Sequence, residues 1–210
     1  SLGPALIFIA GTALSPIGLI GNRIIFVALT VIAFIGWRLQ SKLQESKAWV
    51  DQKAHERATG EKPHPYKDLF SNAINLKTLA FLIGVYMFWN LVAGAMGFFM
   101  PYVYETAGGL SNMQANLLQA VLWIFTALAT YFGFARYGDQ ANHRIFFFVG
   151  SAMAAASWIV LSYAGMNWVS LWVFVTLWGV SAGIGAQAWY ALWATELFPT
   201  KYRAGSQGVM

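Results

Sequence analysis

The stretch that decides the fold runs from Ile145 to Thr195, IFFFVGSAMAAASWIVLSYAGMNWVSLWVFVTLWGVSAGIGAQAWYALWAT, and holds no Asp, Glu, Lys, Arg or His. A bilayer core is crossed by about 20 apolar residues of helix. This window therefore has room for two crossings, with Gly165–Asn167 as the turn between them.

Working outward, four more windows lack any charged residue or His: Ser1–Asn22, Ile24–Trp37, Thr78–Tyr104 and Thr106–Ala135. Hydrophobic residues make up 58% of the chain and charged ones 10%, against roughly a quarter charged in an average soluble domain. That is too little charge to clothe a water-soluble chain of this length. The reading is an all-α, polytopic membrane bundle with six transmembrane helices at 2–20, 23–41, 79–103, 113–134, 145–164 and 168–193. Gly21–Asn22 is taken as the first turn.

The basic residues test this arrangement independently, because positive charge in short loops stays on the cytoplasmic side. Arg38, Lys42, Lys47, Lys53, Arg57, Lys62, Lys67 and Lys77 belong to the second connection. Arg136 and Arg144 belong to the fourth, Lys201 and Arg203 to the sixth, and Arg23 alone falls on the other face. Loops 42–78, 135–144 and 194–206 are thus expected in the cytoplasm and the protein in the cell membrane. The net charge of +5 is an orientation signal, since no basic stripe with interleaved base-stacking aromatics points to nucleic acid. Trp37, Tyr102, Tyr104, Trp168 and Trp193 sit at predicted span ends, where amphipathic rings anchor at the headgroups.

The polar stretch 42–78 divides the chain into 1–41, a pair of spans, and 79–210, a group of four. Within it, Leu43–Arg57 carries Trp49, Val50 and Ala54 among charges, the pattern of a helix lying on the cytoplasmic surface. Gly60, Pro63 and Pro65 break it, and a second short helix begins near Tyr66. Ser111 with Gln114 has the spacing of a capping box and predicts a helix start near 112. Gly94 with Gly97, Ala152 with Ala156, and Gly179 with Gly183 are small pairs of the kind that let helices in lipid approach closely. The glycines at 179, 183 and 185 also make the last span a candidate for bending.

Apart from Arg23 and Arg38 near the two ends of 23–41, no charged residue or His lies inside a predicted span, so membrane-embedded catalysis has no ionisable group at depth to work with, and an enzyme is not expected. His55, His64 and His143 all fall in loops without a metal-ligand spacing, and there is no cysteine, so neither cofactor nor metal is expected. What remains at depth is neutral: Trp89, Asn90, Asn116, Gln119, Thr126, Gln187, Trp189 and Tyr190. Amides and indoles suit an uncharged polyhydroxylated solute, which offers hydroxyls to hydrogen-bond and C–H faces to stack. Interhelical hydrogen bonding is the alternative role for each of them.

Glu196-Leu197-Phe198-Pro199-Thr200-Lys201-Tyr202-Arg203 resembles the cytoplasmic element after span ten of the sugar porter branch of the major facilitator superfamily. Glu45-Ser46 with Trp49 resembles part of the element after span six. Ala135-Arg136-Tyr137-Gly138-Asp139 is similar to the Asp-Arg-x-Gly-Arg turn, with Ala135 for the Asp and Asp139 for the second Arg. Phe88 and Trp89, followed by Asn90, stand where the family carries a sugar-contacting Gln pair, and Gly185 and Trp189 keep two positions of a Gly-Pro-x-Pro-Trp element. Trp189-Tyr190-Ala191-Leu192-Trp193 running into the Glu196 element looks closest to bacterial myo-inositol-type polyol porters.

The resemblance covers nearly the whole chain, as an internal fragment of spans five to ten of twelve. It implies secondary active or facilitative transport of a neutral sugar or polyol by alternating access, with a porter for an aromatic or organic acid as the alternative and a non-transporting membrane protein behind it. With the amides at depth, it makes Trp89, Asn90, Gln119, Gln187 and Trp189 the candidate solute contacts, and it implies a cytoplasmic gate of Glu45, Arg136, Glu196 and Arg203. The partners expected are a small neutral solute and the lipid bilayer. Protons stay open as a coupling ion, because the family's coupling carboxylate lies upstream of Ser1.

Overall fold

The computed structural model describes residues 2–43, 47–60, 69–138 and 142–210, and among them there are helices and turns but no strand. The helices are α1 (Leu2–Leu14), α2 (Leu19–Gln40), α3 (Lys47–Thr59), α4 (Ala73–Thr106), α5 (Asn112–Leu128), α6 (His143–Ala164), α7 (Trp168–Ile184), α8 (Ala186–Glu196) and α9 (Thr200–Val209). Five stretches are long and apolar enough to cross a membrane: Leu19–Gln40, Ala73–Gly97, Asn112–Tyr137, His143–Ala164 and Trp168–Glu196. The first predicted span corresponds to the shorter apolar stretch Leu2–Ile17.

Several boundaries differ from expectation for local physical reasons. The first turn lies at Ser15–Gly18 and not at Gly21–Asn22: Pro16 starts a single 3-10 turn, and Gly18 closes it at φ +57°, a backbone state that glycine adopts without strain. Gly21 and Asn22 belong to the next helix, where the Asn22 amide donates to the Gly18 carbonyl at 3.4 Å. α4 runs for 34 residues through Pro101, and at 1.5 Å per residue it is about 51 Å long, well beyond a hydrocarbon core of about 30 Å. α5 continues as a π-helical segment, Ala129–Phe134, and one further turn, Ala135–Tyr137. The last span is broken at Gly185 into α7 and α8.

The helix starts are locally encoded. Ser111 Oγ accepts from the Gln114 amide at 3.3 Å while Gln114 Oε1 accepts from the Ser111 amide at 2.9 Å, the reciprocal pair expected of that spacing. Asn167 and Ser170 make a second such box, and Asn142 Oδ1 caps α6 by accepting from the Arg144 amide.

The described chain divides into two compact units, 1–31 with 89–189 and 32–88 with 190–210. In the first, α1 packs on α5, α5 on α7, and α6 along α7. Its core is built from Met96 and Met100 of α4, Leu118 and Leu122 of α5, and Phe174 and Trp178 of α7. In the second, Leu69, Leu79, Leu82 and Phe198 form a small core, α3 touches α9, and the Tyr86 and Tyr190 rings stack at 4.4 Å.

Candidate functional site

Polar side chains at membrane depth need partners, and the first unit supplies only some of them. Gln119 on α5 is fully buried. Its Nε2 donates to the Met96 carbonyl of α4 at 3.2 Å, while its Oε1 accepts nothing. The indole N–H groups of Trp123 on α5 and Trp158 on α6 are likewise buried without an acceptor. Thr126, in contrast, spends its hydroxyl on the Leu122 carbonyl of its own helix.

Around these groups stands an aromatic wall. Trp89 of α4 lies parallel to Trp178 of α7, with ring centroids 5.6 Å apart and planes 3° from each other. Trp158 meets Trp178 and Phe174 edge-on, at 5.8 and 5.1 Å. Trp89, one of the sequence-derived candidates, thus packs against this core, and Gln119, another, is tied to its Met96 through the backbone carbonyl. Trp123, Trp158 and Trp178 complete it, and sequence reading had no means of selecting them from a chain with ten tryptophans. Asn90, next to Trp89, is exposed on α4.

Gln187 and Trp189 stand beyond the Gly185 break. The break diverts the Ala188 amide to the Gly185 carbonyl, which leaves the Ile184 carbonyl without its usual helical donor. Trp189 Nε1 takes that place, donating to the Ile184 carbonyl at 2.9 Å. The Trp189 ring is fully buried against Phe134, His143 and Phe146, with centroids at 4.9, 4.5 and 6.2 Å. Gln187, two residues earlier, is exposed.

Of the gate candidates, Arg136 is exposed in the last turn after the π segment, its Cζ 5.7 Å from the Tyr137 ring centre. Glu196 is exposed at the end of α8, and Arg203 is half-buried on α9 with its Nε unpaired. Glu45 lies outside the described residues.

The family model of the Major Facilitator Superfamily matches residues 1–210. The chain belongs to the major facilitator superfamily. A curated relative, the "Minor myo-inositol transporter IolF" of Bacillus subtilis (strain 168), is 40% identical over 213 aligned residues, covering 99% of this chain and 48% of the relative. The chain thus spans about half the length of the relative it matches. No solved structure matches it. Membership makes the five long apolar helices membrane spans and the chain a multi-pass membrane protein.

Proposed function

We propose that this major facilitator chain is part of a transporter that moves a neutral sugar or polyol, of the myo-inositol type, across the cell membrane by alternating access. The observation that carries the reading is the 40% identity to a myo-inositol transporter along 99% of the chain. The chemistry of the bundle supports it. Gln119, Trp123 and Trp158 bring uncharged hydrogen-bonding groups to membrane depth, and the charges on the described spans, such as Arg23, Lys77 and Arg144, fall near the span ends and away from the Trp89–Trp178 stack.

In this reading Trp89, Asn90, Gln119 and Gln187 contact solute, while Trp189 positions α8 through its bond to the Ile184 carbonyl. Residues 1–41 and 79–210 belong to the two halves of the whole transporter, joined through 42–78. The basic connections face the cytoplasm, and Glu45, Arg136, Glu196 and Arg203 form the gate on that side. No catalytic step is assigned to the chain.

The test is uptake of radiolabelled myo-inositol, a hexose and an aromatic carboxylate by the full-length protein in proteoliposomes. Saturable myo-inositol or hexose uptake is the expected result. Transport of the carboxylate alone would overturn the neutral-solute reading. Imposing and then collapsing a proton gradient separates symport, which accumulates solute only while the gradient lasts, from facilitated diffusion.

A further inference from the structure

A cavity of about 520 Å³ opens where α1, the start of α2 and the start of α5 meet, away from the Trp89–Trp178 stack. Its size lies within the range of roughly 300–1,000 Å³ typical of small-molecule sites. The polar lining is Ser15, Asn22, Asn112 and Asn116, and the apolar lining includes Phe8 and Gly11. No charged residue lines it.

The amides are held in a chain. Asn112 Nδ2 donates to Glu105 Oε1 at 2.8 Å, and Asn116 Nδ2 donates to Asn112 Oδ1 at 3.0 Å. Glu105 stands behind the lining and fixes Asn112, leaving Asn116 Oδ1 as an acceptor still to be filled. Across the cavity Ser15 Oγ and the Asn22 amide make no side-chain hydrogen bond among the described residues. A hydroxyl both donates and accepts, and a carboxamide matches both functions, so this lining fits a neutral ligand with several hydroxyls on a small ring. These residues lie on the turn Ser15–Gly18, on the first turn of α2 and on the first turns of α5, at the chain reversals opposite the basic loops.

We propose that this cavity is a second, outer binding site for the neutral polyol, occupied before the solute reaches the deeper Trp89–Gln119 region. The inference rests on the transport reading above. Space and polarity are both prepared: a Cβ on Gly11 would have nothing within 4 Å, so the volume beside it is open.

The experiment uses the full-length protein in right-side-out and inside-out vesicles, with labelled myo-inositol as the probe. Asn116→Leu and Asn22→Ala remove hydrogen-bonding groups, and Gly11→Leu fills the space from a position where a side chain meets no backbone. Each is expected to raise KM at the outer face by about five- to tenfold, the scale of one hydrogen bond to a neutral ligand, and to leave KM at the inner face unchanged. Asn22→Ala guards against misfolding, since its exposed side chain bonds to no described residue. Unchanged outer KM in all three variants of an active transporter, or equal shifts at both faces, would overturn the outer site and leave the transport reading standing. A wild-type protein that moves no polyol at all overturns that reading itself, and the outer site with it.

Discussion

α5 meets two neighbours in two different ways. Its first turns face α1 across a cavity edged by Asn112 and Asn116, whereas its second half meets α7 with no space to spare. At the second seam a Cβ on Gly183 would stand 2.6 Å from the Thr126 carbonyl oxygen and 2.8 Å from the Thr130 amide nitrogen. One on Gly179 would stand 2.8 Å from the Leu122 oxygen. The π-helical segment Ala129–Phe134 begins beside Gly183, and Thr130 Oγ1 reaches the Gly183 carbonyl at 3.4 Å. In lipid no hydrophobic drive separates helix from tail, so a seam holds only through close packing or hydrogen bonds. The same helix therefore carries a glycine-built seam that cannot yield and an amide-built one with room for a guest.

The largest effect that tests this contrast is expected at the tight seam. Gly183→Leu forces a side chain into backbone atoms that have nowhere to move, and overpacking of this kind costs at least about 1–3 kcal/mol. The full-length variant should lose its monodisperse peak on detergent size-exclusion chromatography, or melt many degrees lower. A wild-type melting curve would mean that α5 and α7 separate easily, and the contrast would collapse.

Next comes Trp189→Phe, which keeps the ring against Phe134 and His143 but removes the donor to the Ile184 carbonyl. Leaving that carbonyl unpaired costs roughly 1–3 kcal/mol where water is excluded. Thermal stability should fall, and hydrogen exchange of the amides around Gly185 should quicken. An unaltered exchange pattern would show that the α7–α8 break is held by other contacts.

Gln119→Leu separates stability from function. The native side chain makes one bond, to the Met96 carbonyl, and buries an unpaired Oε1, so an apolar residue of similar size should leave stability within about 1 kcal/mol. Transport should still drop, through a higher KM for the neutral solute, because the free acceptor is what the site offers. Full transport with unchanged KM would assign Gln119 to helix packing alone.

These contrasts also mark what the chain reveals before it folds. The long apolar spans follow from local hydrophobicity, and the Ser111–Gln114 cap is a contact between near neighbours in sequence. The first turn was misplaced because Gly21–Asn22 resembles a turn as much as Ser15–Gly18 does. The proline and the positive φ of Gly18 decide between them. The π segment and the donor role of Trp189 depend on neighbours brought in by tertiary packing, so no local pattern announces them. The candidate site is legible only in part: Gln119 stands out as an amide inside an apolar run, but the unpaired indoles of Trp123 and Trp158 are identified only by what surrounds them.

Small-residue spacing shows the same limit most plainly, and it carries the smallest prediction. Gly94 and Gly97 look as suited to close helix contact as Gly179 and Gly183, yet a Cβ on either would have nothing within 4 Å. Expectation and structure part here because a pair of glycines permits close approach without saying which face of the helix is covered. Gly94→Ala should therefore change stability by less than about 1 kcal/mol, and in the stabilising direction, since alanine gives up less backbone freedom in a helix. Thermal melting of the full-length variant beside Gly179→Ala makes the comparison direct. A Gly94→Ala loss as large as that of Gly179→Ala would mean that another span of the whole transporter packs on Gly94, and the tight seam on α7 would no longer be distinctive.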